Sequence, residues 1–270
     1  MLYITIALSA EARPLIEHFK LTRTYTLPYT MFENEQIRLI VTGVGIENAM
    51  MATSAFLGHF SPSKTDMLLN LGICAASKNF EIGEAFLAHK ICYKDRFYFP
   101  DILFEHSLKE SDIQSVDEPT QEMLELPVDM ESYGVYKAAS RFFSTHQIIF
   151  FKVVSDHFEP LYVSKELAIS LIFQNLKNLD AVLHSAAYVS NKDPLFSQEE
   201  KELITSISDH LTKAQSDSFY DACCYYKLHH KKPLHPQGTS HESLIKVPKE
   251  KLSKKERSEY LESLIKTLTL

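Results

Sequence analysis

The chain has 270 residues, 45% of them in the hydrophobic set and 23% charged, which allows one large domain or one and a half and excludes wholesale disorder. Seven glycines and no tryptophan exclude collagen-like and glycine-linker architectures, and a net charge of −7 argues against a general nucleic-acid coat. That average conceals a split: residues 1–226 carry −12 and residues 227–270 carry +5, an asymmetry that predicts modular organisation.

The first apolar, β-branched run, residues 2–8, predicts a buried strand, and residues 10–20 predict a helix. Alternating segments at residues 29–33 and 36–41 predict a hairpin turning at Glu-Asn-Glu. Thr42-Gly43-Val44-Gly45 then leads into a helix over residues 46–60, with Ala49, Ala52, Thr53, Phe56, Leu57 and Phe60 on one face. Residues 67–71 read as a buried strand ending at Gly72, and residues 84–93 as another; residues 97–110 are aromatic-rich and irregular. A helix is expected from the Val128-Asp-Met-Glu-Ser stretch to about residue 143, then the most apolar strand (residues 147–154) and one long amphipathic helix over residues 167–183. Beyond Tyr188 the texture changes: two helical segments over residues 197–222, a basic His- and Pro-containing stretch from Lys227, and a short amphipathic helix over residues 254–268.

Strands alternating with helices predict an α/β fold. The expected architecture is a single three-layer domain over residues 1–188, its central mixed, largely parallel twisted sheet flanked by helices. A helical and irregular C-terminal extension over residues 189–270 follows. Cys74 and Cys92 are isolated and Cys223-Cys224 are adjacent, which fits neither a disulfide framework nor a CxxC knuckle and implies a reducing cytoplasm. No run approaches the roughly 18 apolar residues of a membrane span. The N-terminus lacks a basic start and soon meets Glu11 and Arg13, so a soluble cytoplasmic protein with no signal peptide and no membrane partner is expected.

In open parallel sheets, ligands bind outside the C-terminal ends of the strands. That rule selects Glu11, Gly43–Gly45, the Gly72-Ile-Cys-Ala-Ala stretch, Asp129 with Glu131, and Ser155-Asp156. Each has an ordinary structural reading when taken alone. Glu11 is a first-turn helix acid, Gly43-x-Gly45 is either a tight turn or an anion cradle on free amides, and Ser155-Asp156 is a common cap or turn pair. Asp129 and Glu131 lie two apart, so on a helix at most one of them points into a given site.

Order and spacing together carry more. Ile6-Ala-Leu-Ser-Ala-Glu11, the Thr42–Thr53 stretch TGVGIENAMMAT, Asn70-Leu-Gly-Ile-Cys-Ala-Ala followed by Ile82-Gly-Glu, Val128-Asp-Met-Glu131-Ser and Val154-Ser155-Asp156 resemble, in chain order, the signatures of the nucleoside phosphorylase/nucleosidase superfamily. The likeness is strongest to its methylthioadenosine/S-adenosylhomocysteine nucleosidase branch and covers about residues 1–185. It implies an enzyme cleaving the N-glycosidic bond of a purine nucleoside, with no cofactor and no metal. Glu11 would activate the nucleophile at the sugar C1′, and Asp156, held by Ser155, would bind the purine and donate a proton towards N7. Glu131 would accept hydrogen bonds from the ribose hydroxyls with Met130 packed on the sugar, and Gly43, Gly72 and Ile73 would line the substrate. Carboxylates near a cation-like sugar and an acid at the leaving base suit that chemistry. The resemblance also implies a homodimer or higher homo-oligomer with a neighbour's side chain closing the pocket.

Three departures stand out. Cys74-Ala75-Ala76 replaces the family's Ala-Gly-Gly, adding methyl groups where a backbone usually meets the ligand; Ile73 replaces a frequent hydroxyl; and Glu159 offers a second acid beyond Asp156. Glu11 in the first-strand turn favours water over phosphate. The alternatives are a nucleoside phosphorylase, with phosphate as co-substrate, and a non-catalytic nucleoside-binding relative. The latter would act as a sensor or as a scaffold whose basic tail, residues 227–270, docks a protein partner. The four histidines His229, His230, His235 and His241 fit no zinc spacing.

Overall fold

The apolar N-terminal run forms β1 (Leu2–Ile6) in the computed structural model, which describes residues 1–159, 163–191, 196–230, 232–234, 245, 247–248 and 250–269. It is followed by α1 (Ser9–His18), β2 (Thr22–Thr24), β3 (Thr30–Glu33), β4 (Ile37–Val41), α2 (Ile46–Phe60), β5 (Met67–Ala75), β6 (Ala85–Tyr93) and β7 (Arg96–Tyr98). Then come β8 (Lys109–Ser115), β9 (Val128–Asp129), α3 (Ser132–Ala139), β10 (Ile148–Asp156), α4 (Lys165–Gln174) and α5 (Leu176–Asn191). The chain divides into two units, Met1–Asn191 and Lys192–Leu270.

All ten strands lie in the first unit and share one sheet. β10 pairs in parallel with β5 and antiparallel with β6; β6 pairs in parallel with β8, β8 with β9, and β9 returns antiparallel to β5. These five strands therefore close into a barrel, and β1, β4, β3 and β2 continue from β5 as an open extension. The expected three-layer, largely parallel sheet is corrected here: the sheet coils on itself, and five of its ten pairings are antiparallel. Twist makes this closure feasible. The deciding element is β9, whose two residues are too few to announce themselves as a strand.

Two apolar clusters sit on opposite faces of the strands. Along β10, Ile148, Phe150 and Val154 join one cluster while Ile149, Phe151 and Val153 join the other, as strand alternation requires. Lys152 shares the face of Phe150 and Val154 and is only 1% exposed. β5 runs on through Gly72 to Ala75, further than expected, because β10 pairs with it as far as Asp156.

The α2 helix has the expected bounds and buries Ala49, Ala52, Thr53, Phe56 and Leu57. It crosses α3 closely at Gly134, where a methyl group would come within 2.2 Å of the Ile46 carbonyl oxygen. The helix expected over residues 167–183 is two helices. Asn175 caps the first, its amide Nδ2 donating to the carbonyls of Leu171 and Gly83 at 3.0 Å each. The α3 helix begins only at Ser132 and ends at Ala139, shorter than the expected helix to residue 143.

The second unit holds α6 (Gln198–Ser208), α7 (Lys213–His230) and α8 (Lys254–Thr269). Its core includes Ile207, Phe219, Cys223, Leu264 and Leu268, so α8 packs within this unit, with Leu261 and Ile265 partly buried against the same cluster. Glu200 is buried and accepts from the Lys227 ammonium at 2.8 Å and the Leu234 amide at 2.7 Å. His235 and His241 lie outside the described residues, and among those described no cluster of His, Cys, Asp and Glu could hold a metal ion. No described helix is long and apolar enough to cross a membrane.

Candidate active site

Strand ends from β1, β5, β8, β9 and β10 meet in the first unit around a cavity of about 350 Å³, within the usual range for small-molecule sites. Glu11, Asp129, Glu131 and Asp156 all line it, with Met130, Ile73, Cys74, Ala75 and Ser155, and among the described residues no Lys, Arg or His does.

Glu11 is 2% exposed in the first turn of α1. Its Oε2 accepts from the Leu8 amide and its Oε1 from the Ile73 amide, both at 2.9 Å. Burial raises its pKa, against the pull of those two amides and the nearby Lys152 charge. Gly72 leaves the space that Glu11 occupies: a methyl there would sit 3.3 Å from Oε1. Gly72 thus stands behind the cavity wall, while Ile73 is on it.

Glu131 caps the start of α3, half-buried, and its Oε1 accepts from the Gly45 amide at 2.9 Å. That amide is therefore not free for an anion. Gly43 and Gly45 adopt φ of 83° and 102°, the region that favours glycine; Gly43 shapes the turn, and Val44 reaches the cavity. Burial, together with the Asp129 charge, pushes the Glu131 pKa up to about 7, opposed by Lys152 and the Gly45 amide.

Asp129 also lines the cavity, which corrects the expectation that only one of Asp129 and Glu131 would do so. Residues 128–129 are strand, and Glu131 precedes the first helical turn, so two-residue spacing keeps both on one side. Asp129 accepts from Ser115 Oγ at 2.8 Å, the Ser132 amide at 3.0 Å and Lys152 Nζ at 2.8 Å. Burial works to raise its pKa, but the Lys152 charge and these hydrogen bonds lower it overall. Lys152 is likewise fully buried, and despite desolvation Asp129 raises its pKa, so it stays a cation. Sequence reasoning gave Lys152 no role, although a lone lysine inside an apolar strand is itself a signal, since lysine is almost never buried without a partner.

Asp156 follows a bulge between β10 and β5, which re-aims the strand end. Its Oδ1 accepts from the Glu159 amide at 2.8 Å, and Ser155 Oγ lies 2.7 Å from its Oδ2 and 3.1 Å from the Cys74 carbonyl oxygen. The Ser155 hydroxyl has one proton for two neighbours. Cys74 and Ala75 are among the residues that line the cavity. Positive φ does not occur at residues 74–76, so the alanines there carry no backbone strain. Burial pushes the Cys74 thiol well up, which keeps it neutral. Val116, Pro119 and Thr120, just beyond β8, form a further wall. Arg13 lies on the surface, paired with Glu17 at 3.0 Å.

No family model matches the chain, and no curated protein matches it. Solved structures do. It is similar to the 5′-methylthioadenosine/S-adenosylhomocysteine nucleosidase of Streptococcus pneumoniae with a transition-state inhibitor: TM-score 0.59 and 18% identity over 68% of this chain and 98% of that one. It is also similar to the Arabidopsis thaliana 5′-methylthioadenosine nucleosidase: TM-score 0.56, 19% identity, 72% and 96%. A Helicobacter pylori variant with 5′-methylthioadenosine in its active site matches at TM-score 0.55, 15% identity, 68% and 97%. The chain has the fold of these nucleosidases, and nearly the whole of each aligns with about two-thirds of this protein.

Proposed function

We propose that the first unit hydrolyses the N-glycosidic bond of a purine nucleoside, in the manner of a methylthioadenosine/S-adenosylhomocysteine nucleosidase. The observation that carries this reading is the convergence of Glu11, Glu131 and Asp156 on one cavity, in a fold shared with nucleosidases. Water held by Glu11 attacks C1′ and passes its proton to that carboxylate. The bond from C1′ to the purine breaks, its electron pair goes to the base, and Asp156 supplies the proton that leaves the base neutral. Glu131 binds the ribose hydroxyls through the oxygen that Gly45 does not use, and Met130 packs on the sugar. The buried negative charge stabilises the cation-like sugar.

Hydrolysis is favoured over phosphorolysis because no cationic side chain lines the cavity among the described residues, and the buried cation Lys152 is paired with Asp129. A non-catalytic nucleoside-binding role is favoured by one feature, the presence of Cys74 and Ala75 in the cavity wall where the resemblance has Ala-Gly-Gly. The test is incubation with methylthioadenosine, S-adenosylhomocysteine, inosine and adenosine, with and without phosphate, reading free base by chromatography. Release without phosphate is expected. Phosphate-dependent release would establish the phosphorylase, and binding without release the silent relative.

A further inference from the structure

We propose that Asn70 is a positioning residue: pairing with the Lys152 ammonium as a neutral acceptor, it fixes that cation where its charge reaches Glu11, Asp129 and Glu131. The roles of Glu11 and Glu131 rest on the hydrolase reading above; the placement of Asn70 does not.

Thr5, Asn70 and Lys152 stand on adjacent strands. Thr5 is opposite Asn70 across β1 and β5, and Lys152 is opposite Gly72 across β10 and β5. Period-two alternation puts Asn70 and Gly72 on one face, so Lys152 lies diagonal to Asn70 and over a residue with no side chain. All three side chains belong to residues no more than 2% exposed. Chemistry dictates how the Asn70 amide is turned. The Thr5 carbonyl oxygen can only accept, so it takes a proton from Nδ2 at 3.3 Å, with Thr5 Oγ1 at 3.2 Å. That leaves Oδ1 to accept from Lys152 Nζ at 2.7 Å.

Lys152 has three ammonium protons, of which Asn70 takes one and Asp129 another. Its Nζ and Glu11 Oε1 both lie within 4 Å of where a Gly72 methyl would stand. The charged or titratable groups acting on Glu131 are Asp129, Lys152 and Glu11, and Cys74 also faces Lys152. One cation therefore serves three carboxylates. A neutral partner at position 70 anchors it without consuming its charge, and a carboxylate there would divide that charge four ways. Without any partner at position 70, Lys152 would settle onto Asp129 alone.

The test follows the Glu131 carboxyl by carbon NMR in the full chain carrying labelled glutamate, with the resonance assigned through Glu131→Gln. Asn70→Asp is expected to move the Glu131 midpoint up by about one unit or more, the effect of an added like charge. Asn70→Ala is expected to move it up by a smaller step, and melting curves establish that each variant is folded. Should Asn70→Asp not fold, Asn70→Ala decides. A folded variant whose Glu131 titrates as in the unaltered chain overturns the proposal. The NMR readout needs no turnover: a shifted midpoint in a chain that releases no base would sink the hydrolase reading and leave the positioning role intact. Base release with an unmoved midpoint would do the reverse.

Discussion

Four carboxylates share one cavity with one buried ammonium beneath it, and their ionisation governs what the site can do. Glu131 has its pKa pushed up to about 7, and in the proposed role its ionised form is the stronger acceptor for ribose hydroxyls, so kcat/KM should rise as pH increases through about 7. Stability should move the other way. A carboxyl whose folded pKa exceeds its unfolded value binds more protons in the native state. The protein therefore loses stability as pH rises from the ordinary glutamate range to about 7, and Glu131→Gln should flatten that slope in melting curves. Asp156→Asn should lower kcat by about 10²–10⁴-fold, the usual worth of a positioned acid, with nucleoside binding retained by calorimetry. Lys152→Met should cost about 3–5 kcal/mol in urea unfolding, because it strands Asp129 as a buried unpaired charge. Glu11, Glu131 and Asp156 were legible in the sequence through their order along the chain. Lys152 was legible only as a lone charge in an apolar strand, because its partner Asp129 lies 23 positions away and nothing local records the pairing.

Helix–helix contact sets the limits at the next scale. The α2 and α3 helices approach so closely at Gly134 that a methyl group would meet the Ile46 carbonyl oxygen. Gly134→Ala should destabilise by about 1–3 kcal/mol or more through overpacking, read as a lower Tm, and should disturb Glu131 just upstream. The bounds of α2 could be read directly because its apolar spacing is uninterrupted. The break between α4 and α5 could not, since Asn175 acts through the Gly83 carbonyl, 92 positions away. Barrel closure escaped for the same kind of reason. Strand pairing through β9 depends on partners from β5 and β8, and nothing local in two residues records it.

At the scale of the molecule, the first unit contains the described candidate site, and the second has its own core, to which α6, α7 and α8 contribute. A chain ending at Asn191 should retain base release per folded molecule; loss of release from folded material would show that the second unit completes the site. The charge split noted in the sequence falls across this division without coinciding with it, because Lys227 belongs to α7 and pairs with Glu200. The two-residue strand β9 has a consequence for how the first unit comes together. Val128 and Asp129 join β8 to β5 and also bring Lys152 its carboxylate, so the seam that closes the barrel also carries the counter-ion of its interior charge. Asp129→Asn should therefore slow refolding as well as speed unfolding, shifting both arms of a chevron plot, whereas a substitution confined to α5 should act mainly on the unfolding arm.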